Sequence, residues 1–366
     1  MGTLRFGLSL VVVIFHTGFP AGGPFAVYGF YVLSGYVITA NITEKYHSQT
    51  LLFYFNRILR LIPAYVISVL LMFASAEIVV RIFHVIGVKI AIPGNDLLKD
   101  SSLVRAFLSG ALPNWHLTLD RYPVVVGFFK WNPVYWTVVI ELIFYLIAPF
   151  RIKFIAKKPL MRSGIILVLT FLILVYYSLG ITDYSELNRR VYGNFFPSTV
   201  YFAMGIFCYY LRREKKYSLS WRQSTFVGAV LLSYLLFGVH RITFSANPIQ
   251  NWLASALVTG LLTAMTLFSR RVPDVKIARL SSYLGKLAYL VYVIHPFMIE
   301  LPMFIRLSYR SSRGHAIGAI SGFAYGNLWI SELVVVASTV ACALLLEKVV
   351  DAPINRIKRK INVRFL

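Results

Sequence analysis

Apolar runs of membrane-spanning length recur along the whole chain, separated by shorter polar or basic stretches. Ten of them read as helical spans, at about 4–20, 24–40, 61–82, 133–150, 163–180, 195–211, 223–239, 250–268, 283–303 and 326–346. Each approaches the ~20 apolar residues that cross a hydrocarbon core as a helix. None alternates apolar and polar positions over segments of about ten residues, so a membrane β-barrel does not fit. The predicted fold class is all-α, one polytopic helical bundle over residues 1–366. The first two spans are joined by Pro20-Ala21-Gly22-Gly23-Pro24, a turn that predicts an antiparallel hairpin. That turn is no small-x-small cleavage site, so the first span reads as a retained helix, not a signal peptide. The stretch 84–132 is the longest connection. Loops of that length are commonly binding loops or lids.

Charge changes the picture from a stack of helices to an oriented one. The chain carries 37 Lys and Arg against 14 Asp and Glu, a net charge of +23. In a soluble domain this would point to nucleic acid. Here 58% of residues are hydrophobic and only 14% charged, and the positive-inside rule accounts for the excess without a nucleic-acid partner. Ten spans put both termini on one side. The loops on that side carry 25 Lys and Arg and the opposite loops 12, which predicts cytoplasmic termini. Half of those 12 lie in 81–130, and long loops translocate largely regardless of charge. The two cysteines, Cys208 and Cys342, stand in separate apolar runs. They predict neither a disulfide framework nor a metal site.

Ionisable residues inside apolar runs are the candidate chemistry, because each is expensive there. Arg5 and His16 are eleven residues apart, which on a helix is about 16 Å of rise and within roughly 20° of one face. Read alone, the pair is equally an anchor at the headgroups and a His bonded to a neighbouring helix. Arg57 and Arg60, at i and i+3 before Pro63, share a face at the cytoplasmic entrance of the third span. Two guanidinium groups can grip phosphate oxygens bidentately, or anchor to lipid headgroups. Glu141 lies among apolar neighbours in Trp136-Thr137-Val138-Val139-Ile140-Glu141. Counted from the outer ends of their spans, Glu141 and His16 fall at similar depth, so a Glu–His pair that orients the imidazole is expected. Tyr292 and His295 are at i and i+3, and Pro296 frees a carbonyl in the preceding turn. With Trp136 they are candidates for lining a cavity, as are Glu300 and Glu332. Gly29-Phe30-Tyr31-Val32-Leu33-Ser34-Gly35-Tyr36 reads as a close helix contact. The chain has no Gly-x-Ser-x-Gly elbow, no Walker loop, no zinc-protease motif and no dinucleotide fingerprint.

Taken in register, these motifs resemble the acyltransferase 3 family of integral-membrane O-acyltransferases. They are Arg5 with His16, the Gly29–Tyr36 stretch, Arg57-x-x-Arg60-x-x-Pro63, Trp136-x4-Glu141-x-x-Phe144-Tyr145 and Tyr292-x-x-His295-x-Phe297. Phe195-Phe196-Pro197 and Glu347-x3-Asp351-Ala352-Pro353 follow in the same order, so the resemblance spans about the whole chain. It implies acyl-CoA, usually acetyl-CoA, as donor and a hydroxyl of a cell-surface or lipid-linked carbohydrate as acceptor. It also implies a multi-pass protein of the bacterial cytoplasmic membrane, with no metal. His16 and Glu141 then become the catalytic candidates, and Arg5, Arg57 and Arg60 the groups for the CoA phosphates. A hydroxyl needs a base of near-neutral pKa, which His supplies. Some members carry an added SGNH hydrolase-like domain; none is expected here, so acceptor chemistry belongs to the membrane domain. Two other readings use the same buried residues: a proton-coupled transporter or flippase of a glycan or lipid, and acylation of a lipid or small metabolite. A membrane scaffold would not need His16, Glu141 and His295 together. The sequence leaves the acceptor and the oligomeric state open.

Overall fold

The computed structural model describes residues 1–46, 49–85, 115–116, 125–126, 132–239, 248–270, 274–310 and 328–365. Within them the long elements are α1 (Gly2–His16), α2 (Gly23–Ala40), α3 (Thr50–Val85), α4 (Trp136–Ile155), α5 (Pro159–Ser178), α6 (Phe195–Lys215), α7 (Trp221–Ser233), α8 (Pro248–Thr266), α9 (Val275–Arg310), α10 (Leu328–Leu346) and α11 (Ala352–Phe365). Each of the ten apolar segments overlaps one of α1 to α10, in order. The described residues are mostly helical, with a two-residue antiparallel ladder, Trp115–His116 with Val125–Val126, and a single parallel bridge between Leu219 and Ser269. The rest of the expected lid, 86–114, 117–124 and 127–131, lies outside the described residues.

Local signals explain the ends. The Ser220 side chain accepts from the Gln223 backbone N–H and Gln223 returns the bond, a capping box that starts α7. The Asn194 side chain caps α6 by accepting from the Phe196 N–H. Proline begins α5 at Pro159, where a missing N–H costs nothing.

The expected hairpin is present. α1 ends at His16, Gly18 takes a left-handed φ of 102°, and α2 begins at Gly23. The Gly22 N–H donates to the Leu235 carbonyl at 2.6 Å, pinning the turn against the π-helical turn Tyr234–Gly238 that follows α7.

Small residues set two close contacts. A Cβ on Gly35 would stand 2.1 Å from the Phe202 carbonyl oxygen, and one on Gly205 2.1 Å from that of Val32. α2 and α6 therefore touch through backbone, as the Gly29–Tyr36 stretch predicts. α1 lies against α9 in the same way, Gly2 facing Ser281 and Gly285. Around these contacts the core is aromatic. Tyr28 stacks on Tyr201 at 4.2 Å, and Phe202 stacks on Phe144 at 4.2 Å and on Tyr31 at 4.7 Å.

Five stretches are long and apolar enough to cross a membrane: Gly23–Tyr46, Thr50–Ser75, Pro159–Ser178, Val275–Ile299 and Glu332–Lys358. Their outward faces are apolar too. On α5, Ile165, Val168, Leu169, Leu172 and Val175 are all exposed, a stripe at helical spacing that water would not favour. The molecule is an integral-membrane helical bundle. Cys208 and Cys342 are both free thiols, Cys208 buried.

Candidate functional site

Five helices wall one cavity of about 710 Å³, its open mouth included. α1 contributes Arg5, α2 Ser34 with Phe30 and Tyr31, and α3 Arg57 and Arg60. α4 contributes Thr137, Glu141 and Tyr145, and α9 Tyr289 and Tyr292. The spacings that place these side chains are helical: i, i+4, i+8 on α4 and i, i+3 on α3 and α9.

The cavity has a mostly apolar surface with a positively charged polar set in it. Three guanidinium groups face one carboxylate among its described walls. Arg57 is buried, with its guanidinium over the rings of Phe53 at 5.4 Å and Tyr145 at 5.5 Å. Its Nε has no hydrogen-bond partner. Among the described residues, none of Arg5, Arg57 and Arg60 forms an ion pair. Three cations against one carboxylate leave a net positive charge that suits an incoming anion.

Glu141 is held by two donors on one oxygen: the Ser34 hydroxyl and the Tyr145 hydroxyl both reach Oε1. Above it, the Tyr292 and Thr137 hydroxyls share a 2.6 Å bond between α9 and α4. Tyr289 donates to the Leu61 carbonyl at 2.7 Å, joining α9 to α3.

His16 lies elsewhere. It ends α1, is exposed, and its ring centroid is 5.2 Å from that of His295 on α9. His295 is fully buried, one turn beyond Tyr292, with ring centroids 5.8 Å apart. The expected Glu141–His16 pair is therefore replaced by two separate arrangements, Glu141 with Ser34 and Tyr145, and His16 with His295. Equal depth in two spans fixes neither azimuth nor neighbour, which is why the pairing failed.

Trp136 is also corrected. It is buried in the core, edge-on to Tyr192 at 4.7 Å, and is not among the described walls of the cavity. Tyr292 lines the cavity, whereas His295 is not among its described walls. Glu332 is buried on α10, and the Glu300 side chain lies outside the described residues.

A family model described as an acyltransferase domain matches residues 2–348. The chain belongs to the acyltransferase 3 family. Comparison with curated proteins and with solved structures returned no match. The family membership makes the molecule a membrane acyltransferase, and the cavity is its candidate active site.

Several groups in this acyltransferase site were not singled out by their sequence. Ser34 and Tyr145 sit in stretches that read as helix packing, and only the i+4 step from Glu141 to Tyr145 hinted at a bond. Lys358 on α11 lies within electrostatic reach of Arg57, Arg60 and Asp351. No group of three His, Cys, Asp or Glu able to hold a metal occurs among the described residues.

Proposed function

We propose that this protein moves an acyl group, acetyl by preference, from acyl-CoA to a hydroxyl of a cell-surface or lipid-linked carbohydrate. The observation that carries the reading is the convergence of Arg5, Arg57 and Arg60 in one cavity, with His16 at the other end of α1. The arginines receive the anionic phosphates of CoA at the cytoplasmic side. The pantetheine arm follows the cavity past Glu141 and Tyr292 toward the histidines. His16, being exposed, meets the acceptor from the outer side.

In the reaction His16 takes the proton of the acceptor hydroxyl. The oxygen forms a bond to the thioester carbonyl carbon, the carbon–sulfur bond breaks, and His16 returns the proton to the departing thiolate. One ester and one free thiol result, and no metal takes part.

Helix directions support ten crossings with both termini in the cytoplasm. α1 and α9 run parallel, with Gly2 beside Gly285 and His16 beside His295. α2 and α6 do likewise, with Tyr28 on Tyr201 and Tyr36 bonded to Arg212. Helices of equal parity must be parallel in such a bundle. The Lys and Arg excess supports an arginine end of the cavity at the inner face of a bacterial cytoplasmic membrane.

The test supplies labelled acetyl-CoA to membranes with and without the protein and fractionates the product. A mild-base-labile label in polysaccharide or lipid-linked glycan is expected, without any ion gradient. Label in a small-molecule or simple-lipid fraction overturns the acceptor assignment. No consumption of acetyl-CoA overturns the transfer reading in favour of a transporter. His16→Ala, inserted normally and still active, overturns the base.

A further inference from the structure

The side chain that orients His16 is not the carboxylate the sequence suggests. Pro296 has no N–H, so the Tyr292 carbonyl one turn earlier has no backbone donor within α9. His295 Nδ1 fills that vacancy at 2.7 Å from the Tyr292 oxygen. A carbonyl oxygen only accepts, so Nδ1 carries the proton. Neutral imidazole has one N–H, and Nε2 of His295 is therefore a bare lone pair. That nitrogen is buried and has no partner. The ring nearest to it across the helix contact is His16, at 5.2 Å between centroids and 37° between planes. The two rings are in contact, so a turn of the exposed His16 ring would bring one of its nitrogens to this bare lone pair.

We infer that His295 is the positioning residue for His16, accepting the N–H of one His16 nitrogen so that the other presents its lone pair to the acceptor hydroxyl. The inference rests on the base role proposed above for His16. Proline chooses the tautomer of His295, and His295 chooses that of His16. The lone pair also stabilises the His16 imidazolium while it holds the transferred proton. Among the described residues, Tyr292 on its own helix also faces His295, and it is neutral.

Three variants test this in the full-length protein, purified in detergent and normalised to folded protein by thermal melting. His295→Leu removes the acceptor and should lower kcat at least roughly tenfold while leaving KM for acetyl-CoA within about twofold. His295→Gln restores an acceptor at similar reach and should recover part of the lost kcat, which a purely structural role would not predict. Pro296→Ala returns an N–H that competes for the Tyr292 carbonyl. It favours helix formation, keeps both histidines, and should still lower kcat. If His295→Leu fails to fold, Pro296→Ala carries the test. Unchanged kcat in a folded His295→Leu or in Pro296→Ala overturns the inference, as does equal loss in folded Leu and Gln variants. Retained activity in His16→Ala would instead remove the base reading on which it rests.

Discussion

Gly35 and Gly205 seat α2 and α6 backbone against backbone. Each Cβ position lies 2.1 Å from a carbonyl oxygen of the other helix, and backbone cannot swing aside as a side chain can. Gly205→Ala should therefore cost about 1–3 kcal/mol or more through overpacking and lower the melting temperature in detergent. Gly228→Ala on α7, where a Cβ would meet nothing within 4 Å, is the control. It should be neutral or slightly stabilising, because Ala is the better helix former. Equal melting temperatures for the two variants would show that α2 and α6 do not pack through these glycines.

The three cavity arginines differ in what else they do. Arg57 packs against the rings of both Phe53 and Tyr145, so Arg57→Ala should lose both stability and donor affinity. Arg60 is half-buried in the same wall, so Arg60→Ala should spare the melting temperature. A charge-assisted bond of ~1.5–3 kcal/mol predicts a rise of roughly 10- to 100-fold in KM for acetyl-CoA. Arg57→Lys should not rescue, because an ammonium lacks the planar fork and the ring stacking. Acetyl-pantetheine, which has no nucleotide phosphates, should be used equally by wild type and Arg60→Ala. A defect that persists with this truncated donor would count against phosphate recognition.

The sequence carried much of this site, but as depths and faces, not as partners. The apolar runs located all of α1 to α10, because membrane-length hydrophobicity is a one-dimensional signal. Arg5, Arg57, Arg60, Glu141 and Tyr292 were legible as ionisable or polar residues in costly places, and the structure gathers them in one cavity. Ser34 and Tyr145 were not, because a hydroxyl in an apolar run reads as packing until its partner is known. Pro296 told that a carbonyl was free; only the fold showed that His295 takes it. Trp136 was expected to line the cavity and faces the core instead, whereas Thr137, turned about 100° from it along the helix, is a wall.

Glu141, Ser34 and Tyr145 form one unit, so their losses should not add. Tyr145→Phe and Ser34→Ala each remove a donor from the same carboxylate oxygen, and Tyr145 also carries Arg57. A double-mutant cycle between Glu141→Gln and Tyr145→Phe, read as kcat/KM, should give a coupling energy of about 1–3 kcal/mol. The same cycle between Glu141→Gln and His295→Gln should give coupling within about 0.5 kcal/mol, since no shared partner joins them. The reverse ranking would restore the Glu141–histidine pairing that the geometry replaces.

Lys358 extends the basic surface of the cavity from a part of the chain beyond its last long apolar helix. It lies on α11, and its interactions with Arg57 and Arg60 place it on the arginine side of the site, with Asp351 as a local counter-charge. Lys358→Glu reverses a charge that an incoming polyanion must pass. It should raise KM for acetyl-CoA severalfold and leave kcat unchanged, because the residue is remote from His16. Screening weakens such effects beyond ~10 Å at 0.1 M salt, so the gap between wild type and variant should narrow as ionic strength rises. kcat/KM measured from low to high salt checks this. A gap that is independent of salt would mean that Lys358 holds α11 in place through packing of its stem, not by charge, and Lys358→Met would then behave as wild type.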